Sequence, residues 1–384
     1  MKVIVLYLGD LLHCPPAMSL VNSLNESGIE TVFIGYPDGA DAFSSFVRSN
    51  AGVRFLFVGQ SNTGGGAVAK TLRFFKYRRK VKKLLCSEYD KDSVMWILSN
   101  GSLKYLGNYA TKMRYVLHLL ELTEQLYLVE SKHLFPFPKK YYLRAKAVVE
   151  CEYNRAHITK AWWDLPALPY VLQNKPYNRV AITKESPLDF SPEIAELFAT
   201  KLKDKKIVLY QGNISAERPL DPFIDAISEL PEEYVFVAMT NGEVPYRGNC
   251  DRFFRLPFVA PPDHLKITAR AYIGILSYVP VKNSYSILNT LYCAPNKIWE
   301  YSQFGVPMLS NDLPALRSHF LEYGDGVALR TTDRESVKRS ILEIGENHEQ
   351  YSENAKRFFE SYDYGEAVKT ILNGCYESRK GDAK

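Results

Sequence analysis

The feature that most restricts the fold is an alternation, sustained along nearly the whole chain, of short apolar runs with polar or amphipathic segments of helix length. Apolar runs fall at residues 3–8, 31–34, 54–58, 94–98, 114–117, 145–149 and 169–172. A polar, proline-containing stretch then extends from Gln173 to about Lys206. Beyond it a second series appears at 207–210, 234–238, 253–256, 272–276, 307–309 and 327–329. Strands that alternate with helices imply parallel sheets covered on their faces by the helices. At 384 residues the chain also exceeds one ordinary core. The expected architecture is therefore α/β, with two doubly wound Rossmann-like domains facing a central cleft. Ligands in such sheets bind beyond the carboxyl ends of the strands. The expected domains are 1–175 and 176–360. The segment 361–384 reads as a helix that either caps the second half or returns to the first.

Composition removes several alternatives. Hydrophobic residues at 46% and charged residues at 24% are globular proportions. No apolar stretch approaches the ~20 residues of a membrane span, and the opening residues read as a strand rather than a secretory leader. The six cysteines, Cys14, Cys86, Cys151, Cys250, Cys293 and Cys375, include no closely spaced pair, against both a zinc site and a disulfide framework. A reducing, cytoplasmic setting is expected.

The net charge of +5 is too small to imply a nucleic-acid partner. Its distribution is uneven, however. Lys70, Arg73, Lys76, Arg78, Arg79, Lys80, Lys82 and Lys83 follow one another with no acidic residue among them. Read as a helix, this segment carries Phe74, Tyr77, Val81, Leu84 and Leu85 on one stripe. Such a helix fits peripheral contact with an anionic membrane at its inner face. An outer helix of an α/β domain burying one stripe would show the same periodicity.

The segment from Cys293 to Pro307 reads as a short helix followed directly by a strand. Pro295 suits the first helical position, Gly305 the residue past the helix end, and Pro307 prevents continuation. Lys297 then lies in the first turn, where the helix dipole disfavours a cation by roughly 0.3–1 kcal/mol unless an anion is bound there. A diphosphate would remove that conflict, with Asn296 and Lys297 adding side-chain donors. Glu300 shares a face with Lys297 and is placed to accept from ribose hydroxyls. The alternative is an exposed Lys297–Glu300 ion pair, which contributes little.

This stretch resembles the P-N-K-x-x-E-Y…G-x-P signature of retaining GT-B glycosyltransferases of the glycogen-synthase-like, capsule-assembly type. The resemblance implies that Glu300 binds the donor ribose and that the preceding loop meets the diphosphate, and it brings Tyr292 and Pro295 into the donor site. Residues Tyr210 to Ala226 resemble the family's V-G-R-x-x-x-E-K-G-x-D-x-L-I-x-A. Gly212 falls within that loop, Arg218 takes the place of a phosphate-contacting lysine, and Asn213 stands where the family has its first arginine. An arginine there remains suited to phosphate. Residues Phe258 to Asp263 resemble the loop that meets the nucleotide base through main chain, with Val259 as the contact. Tyr292 departs from the pattern, standing where a sugar-contacting glutamate is usual.

In the first half, the run from Arg114 to Leu122 resembles a strand that ends beside the acceptor, which brings forward His118 and Glu121. Gly9 and Asp10, with His13, line the first strand-to-helix loop. As a whole the resemblance implies a hexosyl transfer, with retention and without a metal or other cofactor, from a UDP- or GDP-type sugar. The acceptor would be a glycan or a lipid-diphosphate-linked sugar, as in surface polysaccharide assembly. A nucleotide-sugar epimerase or a non-catalytic partner subunit of the same architecture are the rival readings.

Overall fold

The computed structural model describes residues 1–59, 64, 66–129, 134–177, 181–281 and 286–381, except for the side chains of Ala67, Val129 and 377–381. The chain divides into two compact units. One consists of Met1–Arg179, Ser284–Asn289 and Asp363–Lys384, the other of Val180–Asn283 and Thr290–Tyr362.

The first unit is built on a seven-stranded sheet. In chain order its strands are β1 (Lys2–Leu6), β2 (Glu30–Gly35), β3 (Val53–Phe57), β4 (Ser93–Leu98) and β5 (Tyr115–His118). A small antiparallel hairpin follows, β6 (Tyr127–Val129) with β7 (Leu134–Pro136). The main sheet is completed by β8 (Ala147–Glu150) and β9 (Tyr170–Val171). The spatial order is β3-β2-β1-β4-β5-β8-β9, and every pairing is parallel. β4, Ser-Val-Met-Trp-Ile-Leu, is buried throughout because helices cover both faces, so its sequence is continuous rather than alternating. The direction of winding reverses between β1 and β4. The helix Tyr364–Gly381, from the end of the chain, packs on the helix Pro15–Glu26 of this unit.

The second unit repeats the plan with six strands: β10 (Lys206–Gln211), β11 (Tyr234–Met239), β12 (Phe253–Leu256), β13 (Ile273–Leu276), β14 (Met308–Asn311) and β15 (Gly326–Leu329). Their order is β12-β11-β10-β13-β14-β15, again all parallel, with the reversal between β10 and β13. Two doubly wound α/β sheets are thus present, as the alternation implied.

The basic segment is the helix Ala67–Glu88. Its expected bilayer-facing stripe is instead the stripe that faces the core. Tyr77, Val81 and Leu85 are buried, and Leu84 packs against the same cluster. Phe74 lies against the Tyr105 ring, with centroids 4.8 Å apart. Burial of those apolar groups against the sheet removes them from any lipid contact. Among the described residues no helix is long and apolar enough to cross a membrane.

Candidate functional site

The polar residues of greatest interest gather at the carboxyl end of β10, beside the point where the second sheet reverses direction. That is where a doubly wound sheet leaves a crevice for ligands. Gly212, immediately after β10, adopts φ 122°, a conformation that L side chains avoid, and its amide donates to the Met239 carbonyl at 3.0 Å. The loop beyond it folds back on the strand. Tyr210 donates its hydroxyl to the Asn213 carbonyl at 2.6 Å, and Arg218 Nη1 donates to the same oxygen at 3.2 Å. Two further bonds fasten this loop to the one after β13: the Val279 amide to the Glu217 carbonyl at 2.7 Å, and Ser277 Oγ to the Pro219 carbonyl at 2.6 Å.

Lys297 and Glu300 enter from the helix Asn296–Ser302, with Pro295 at its N-cap rather than inside it. Gly305 ends the helix at φ 65°. Its amide bonds to the Ser302 carbonyl at 3.0 Å and the Val306 amide to that of Tyr301 at 3.1 Å, the paired pattern of a left-handed glycine cap. The helix is buried nearly all round, its two charged residues included.

Lys297 is only 7% exposed, and its ammonium has no hydrogen-bond partner among the described residues. It sits instead over the rings of Tyr210 and Tyr278, at 4.5 and 4.9 Å from their centroids. The Arg218 guanidinium lies 5.4 Å from the Tyr278 centroid. Burial, and then repulsion from Arg218, push the Lys297 pKa down to about 7, with Glu300 and Cys293 opposing. Burial likewise pushes the Tyr210 hydroxyl up to about 12. An exposed Lys297–Glu300 ion pair is therefore not what forms.

Glu300 has its own partners. Oε2 accepts from Gln211 Nε2 at 2.6 Å, Gln211 Oε1 accepts from Thr268 Oγ1 at 2.7 Å, and Oε1 lies 3.4 Å from His264 Nε2. Burial raises the pKa of this carboxyl, but the His264 contact, the Gln211 bond and the Lys297 charge outweigh it and hold the value below the ordinary range. The arrangement comprises two cations, one of them the Lys297 ammonium lacking an acceptor, and one carboxylate braced from behind. Leaving a buried charge unmatched is costly, so an anionic ligand fits here on electrostatic grounds.

The structure thus brings together Gly212, Asn213, Arg218, Lys297 and Glu300. Asn296 and Pro295 open the same helix, and Tyr292 lies in the loop before it, partly exposed. The Val259 side chain is in the core of this unit. Gln211, His264, Thr268 and Tyr278 were not singled out by sequence. Gln211 carried one faint signal, a polar residue closing an otherwise apolar strand.

The remaining candidates belong to the first unit. Gly9 lets the chain pass the Tyr7 ring, since a Cβ there would lie 2.5 Å from it. Asp10 and His13 form an exposed pair, Oδ2 to Nδ1 3.0 Å. His118, the last residue of β5, is buried with Nδ1 accepting from Trp96 Nε1 at 3.4 Å, and burial pushes its pKa down to about 3. Burial favours its neutral imidazole, whose Nε2 has no hydrogen-bond partner among the described residues. Glu121 Oε2 accepts from Asn289 Nδ2 at 2.7 Å. Asn289 in turn bonds the Leu122 amide through Oδ1 at 2.8 Å and Arg155 Nη2 through its carbonyl at 2.8 Å. Glu121 thereby holds the segment that carries Asn289.

No family model matches the chain, and no curated protein sequence does. Solved structures resemble it along its whole length. An Anabaena HepE complex with UDP and glucose superposes with a TM-score of 0.63 at 15% identity, covering 98% of this chain and 100% of that one. A putative UDP-N-acetylglucosamine 2-epimerase from Listeria monocytogenes gives 0.62 at 14%, covering 97% and 94%. An α,α-trehalose-phosphate synthase (UDP-forming) from Burkholderia vietnamiensis gives 0.63 at 9%, covering 100% and 99%. The fold of this chain is GT-B.

Proposed function

We propose that the protein is a glycosyltransferase that binds a nucleotide diphosphate-sugar in its second unit, with Arg218 and Lys297 on the diphosphate and Glu300 on the ribose. One observation carries this reading: the buried Lys297 ammonium, without an acceptor, beside Arg218 at the reversal point of the second sheet. A diphosphate supplies the missing negative charge. The braced Glu300 carboxylate keeps lone pairs for hydroxyl donors. UDP is the first nucleotide to test, since HepE and the trehalose-phosphate synthase are GT-B proteins described with UDP.

In the proposed reaction the bond between the anomeric carbon and the diphosphate breaks, and the acceptor hydroxyl oxygen bonds to that carbon. The two cations stabilise charge as it develops on the departing diphosphate. By the resemblance in its motifs the transfer retains configuration, and a departing phosphate oxygen receives the acceptor proton. The acceptor is a glycan or a lipid-linked sugar, at the cytoplasmic face of a membrane.

The test is incubation of the purified protein with UDP- and GDP-sugars, with and without lipid-linked and oligosaccharide acceptors, followed by product analysis. Acceptor-dependent release of the nucleotide diphosphate supports transfer. A new nucleotide sugar formed without acceptor would instead assign an epimerase. Failure to bind any nucleotide diphosphate would leave a non-catalytic subunit.

A further inference from the structure

With its inner stripe used by the core, the helix Ala67–Glu88 presents a different surface outward. Val68, Leu72 and Phe75 are 74%, 67% and 52% exposed, at the spacing of one helical face. Lys76, Arg79, Lys80 and Lys83 continue the exposed side toward the C-terminus, and no acid occurs before Glu88. Arg78 and Lys82 are turned inward: the Arg78 guanidinium lies against Gly107, and the Lys82 ammonium lies 5.7 Å from the Tyr109 ring centroid. A second exposed apolar group occurs on the hairpin, Leu134 at 47% and Phe135 at 67%, followed by exposed Lys139 and Lys140. Both elements leave the carboxyl edge of the first sheet, after β3 and after β5. Single exposed apolar residues are ordinary, but two groups at one edge, each beside lysines or arginines with no acidic residue among them, are not.

We infer that this edge of the first unit docks on an anionic lipid bilayer, with Val68, Leu72, Phe75, Leu134 and Phe135 entering the interface and Lys76, Arg79, Lys80 and Lys83 meeting the headgroups. The charge favours an anionic partner, and the aliphatic and aromatic side chains favour a bilayer over nucleic acid, whose surface offers phosphate and sugar. This names the membrane-contacting face for a lipid-linked acceptor, yet it needs no nucleotide, so it stands or fails apart from the donor reading.

The experiment is co-sedimentation of the full chain, without nucleotide, with vesicles of phosphatidylcholine alone or mixed equally with phosphatidylglycerol. A charge variant carries Lys76→Gln, Arg79→Gln, Lys80→Gln and Lys83→Gln. An apolar variant carries Leu72→Ser, Phe75→Ser and Leu134→Ser. Wild type is expected to sediment with the mixed vesicles only, and the charge variant to lose roughly a hundredfold or more in partitioning. The apolar variant is expected to lose binding more sharply than wild type as salt is raised, because only its electrostatic attraction remains. Phe75→Trp emission should shift to the blue on mixed vesicles. Unchanged far-ultraviolet circular dichroism and melting establish that each variant folds. Wild type remaining in the supernatant, charge-variant binding equal to wild type, or an unshifted Phe75→Trp emission would overturn the inference. So would single-stranded RNA binding that outcompetes the vesicles.

Discussion

The two sheets differ in the partners that their buried ionisable groups find. In the first unit burial pushes His118 down to about 3 and Glu150 up to about 7, buried Glu88 is met by Lys2 and Arg54, and the Asp10–His13 pair stays in solvent. In the second unit Lys297 and Glu300 are buried as neighbours of Arg218 and His264, and burial pushes Lys297 down to about 7; its ammonium lies over aromatic rings with no hydrogen-bond acceptor among the described residues. A buried lysine so perturbed, beside a second cation, makes the second sheet rather than the first the candidate for a ligand site.

The largest effect should come from removing either cation. Lys297→Ala and Arg218→Ala are each expected to weaken nucleotide-diphosphate binding by about 1.5–3 kcal/mol, the range for hydrogen bonds to charged groups, read by titration calorimetry. Lys297→Met should also raise the melting temperature of the unliganded protein, since an uncompensated buried charge gives way to an apolar chain of similar length. Loss of both binding and stability would place Lys297 with structural residues and erase the contrast between the sheets.

The pH dependence is next in size. Lys297 binds a proton with a value of about 7 in the folded protein against 10.5 for an ordinary lysine. Between those values the unfolded chain holds a proton that the folded chain has released, so this group makes stability rise with pH across that window, and its burial penalty is fully present below it. Anion affinity runs the other way, falling above about pH 7 as the ammonium is lost. Glu300, held below the ordinary carboxylate range, contributes stability above about pH 4.5 that disappears as pH drops through its folded value. Parallel melting and binding series from acid to alkaline pH check both signs.

Smaller again is Glu300→Gln, which keeps shape and much of the Gln211 and His264 packing. It should lower donor affinity or turnover with melting near that of wild type. A large drop in stability with normal binding would make Glu300 structural. Smallest of all, His118→Gln should leave nucleotide binding within error, because the imidazole is neutral and sealed against Trp96. A pronounced loss of binding would show that the first sheet's interior groups also serve the donor.

Much of this was legible in the sequence, for reasons that also explain what was not. The alternation of apolar runs with amphipathic segments encodes parallel sheets directly, and strands such as β10 and β11 lie where their apolar runs fall. Pro295, Gly305 and Pro307 located the helix of Lys297 and Glu300 because capping is local chemistry. The hairpin β6–β7 escaped notice, its strands being three residues each, the second ending at Pro136. The support of Glu300 was invisible for a different reason: Gln211 lies 89 positions away, and His264 approaches only when the second unit folds. For the basic helix, period 3.6 identified the apolar stripe correctly but could not say whether core or lipid covered it.

The most direct test is calorimetric titration of UDP into the full chain, above neutral pH, in two buffers of different ionisation enthalpy, with Lys297→Met alongside. Wild type is expected to bind with an enthalpy that changes between buffers, reporting proton uptake as Lys297 gains its phosphate partner. Lys297→Met should bind at least tenfold more weakly, with little or no buffer dependence. Equal affinity and equal buffer dependence in the two proteins would contradict the account, because the buried ammonium would then have no part in holding the ligand.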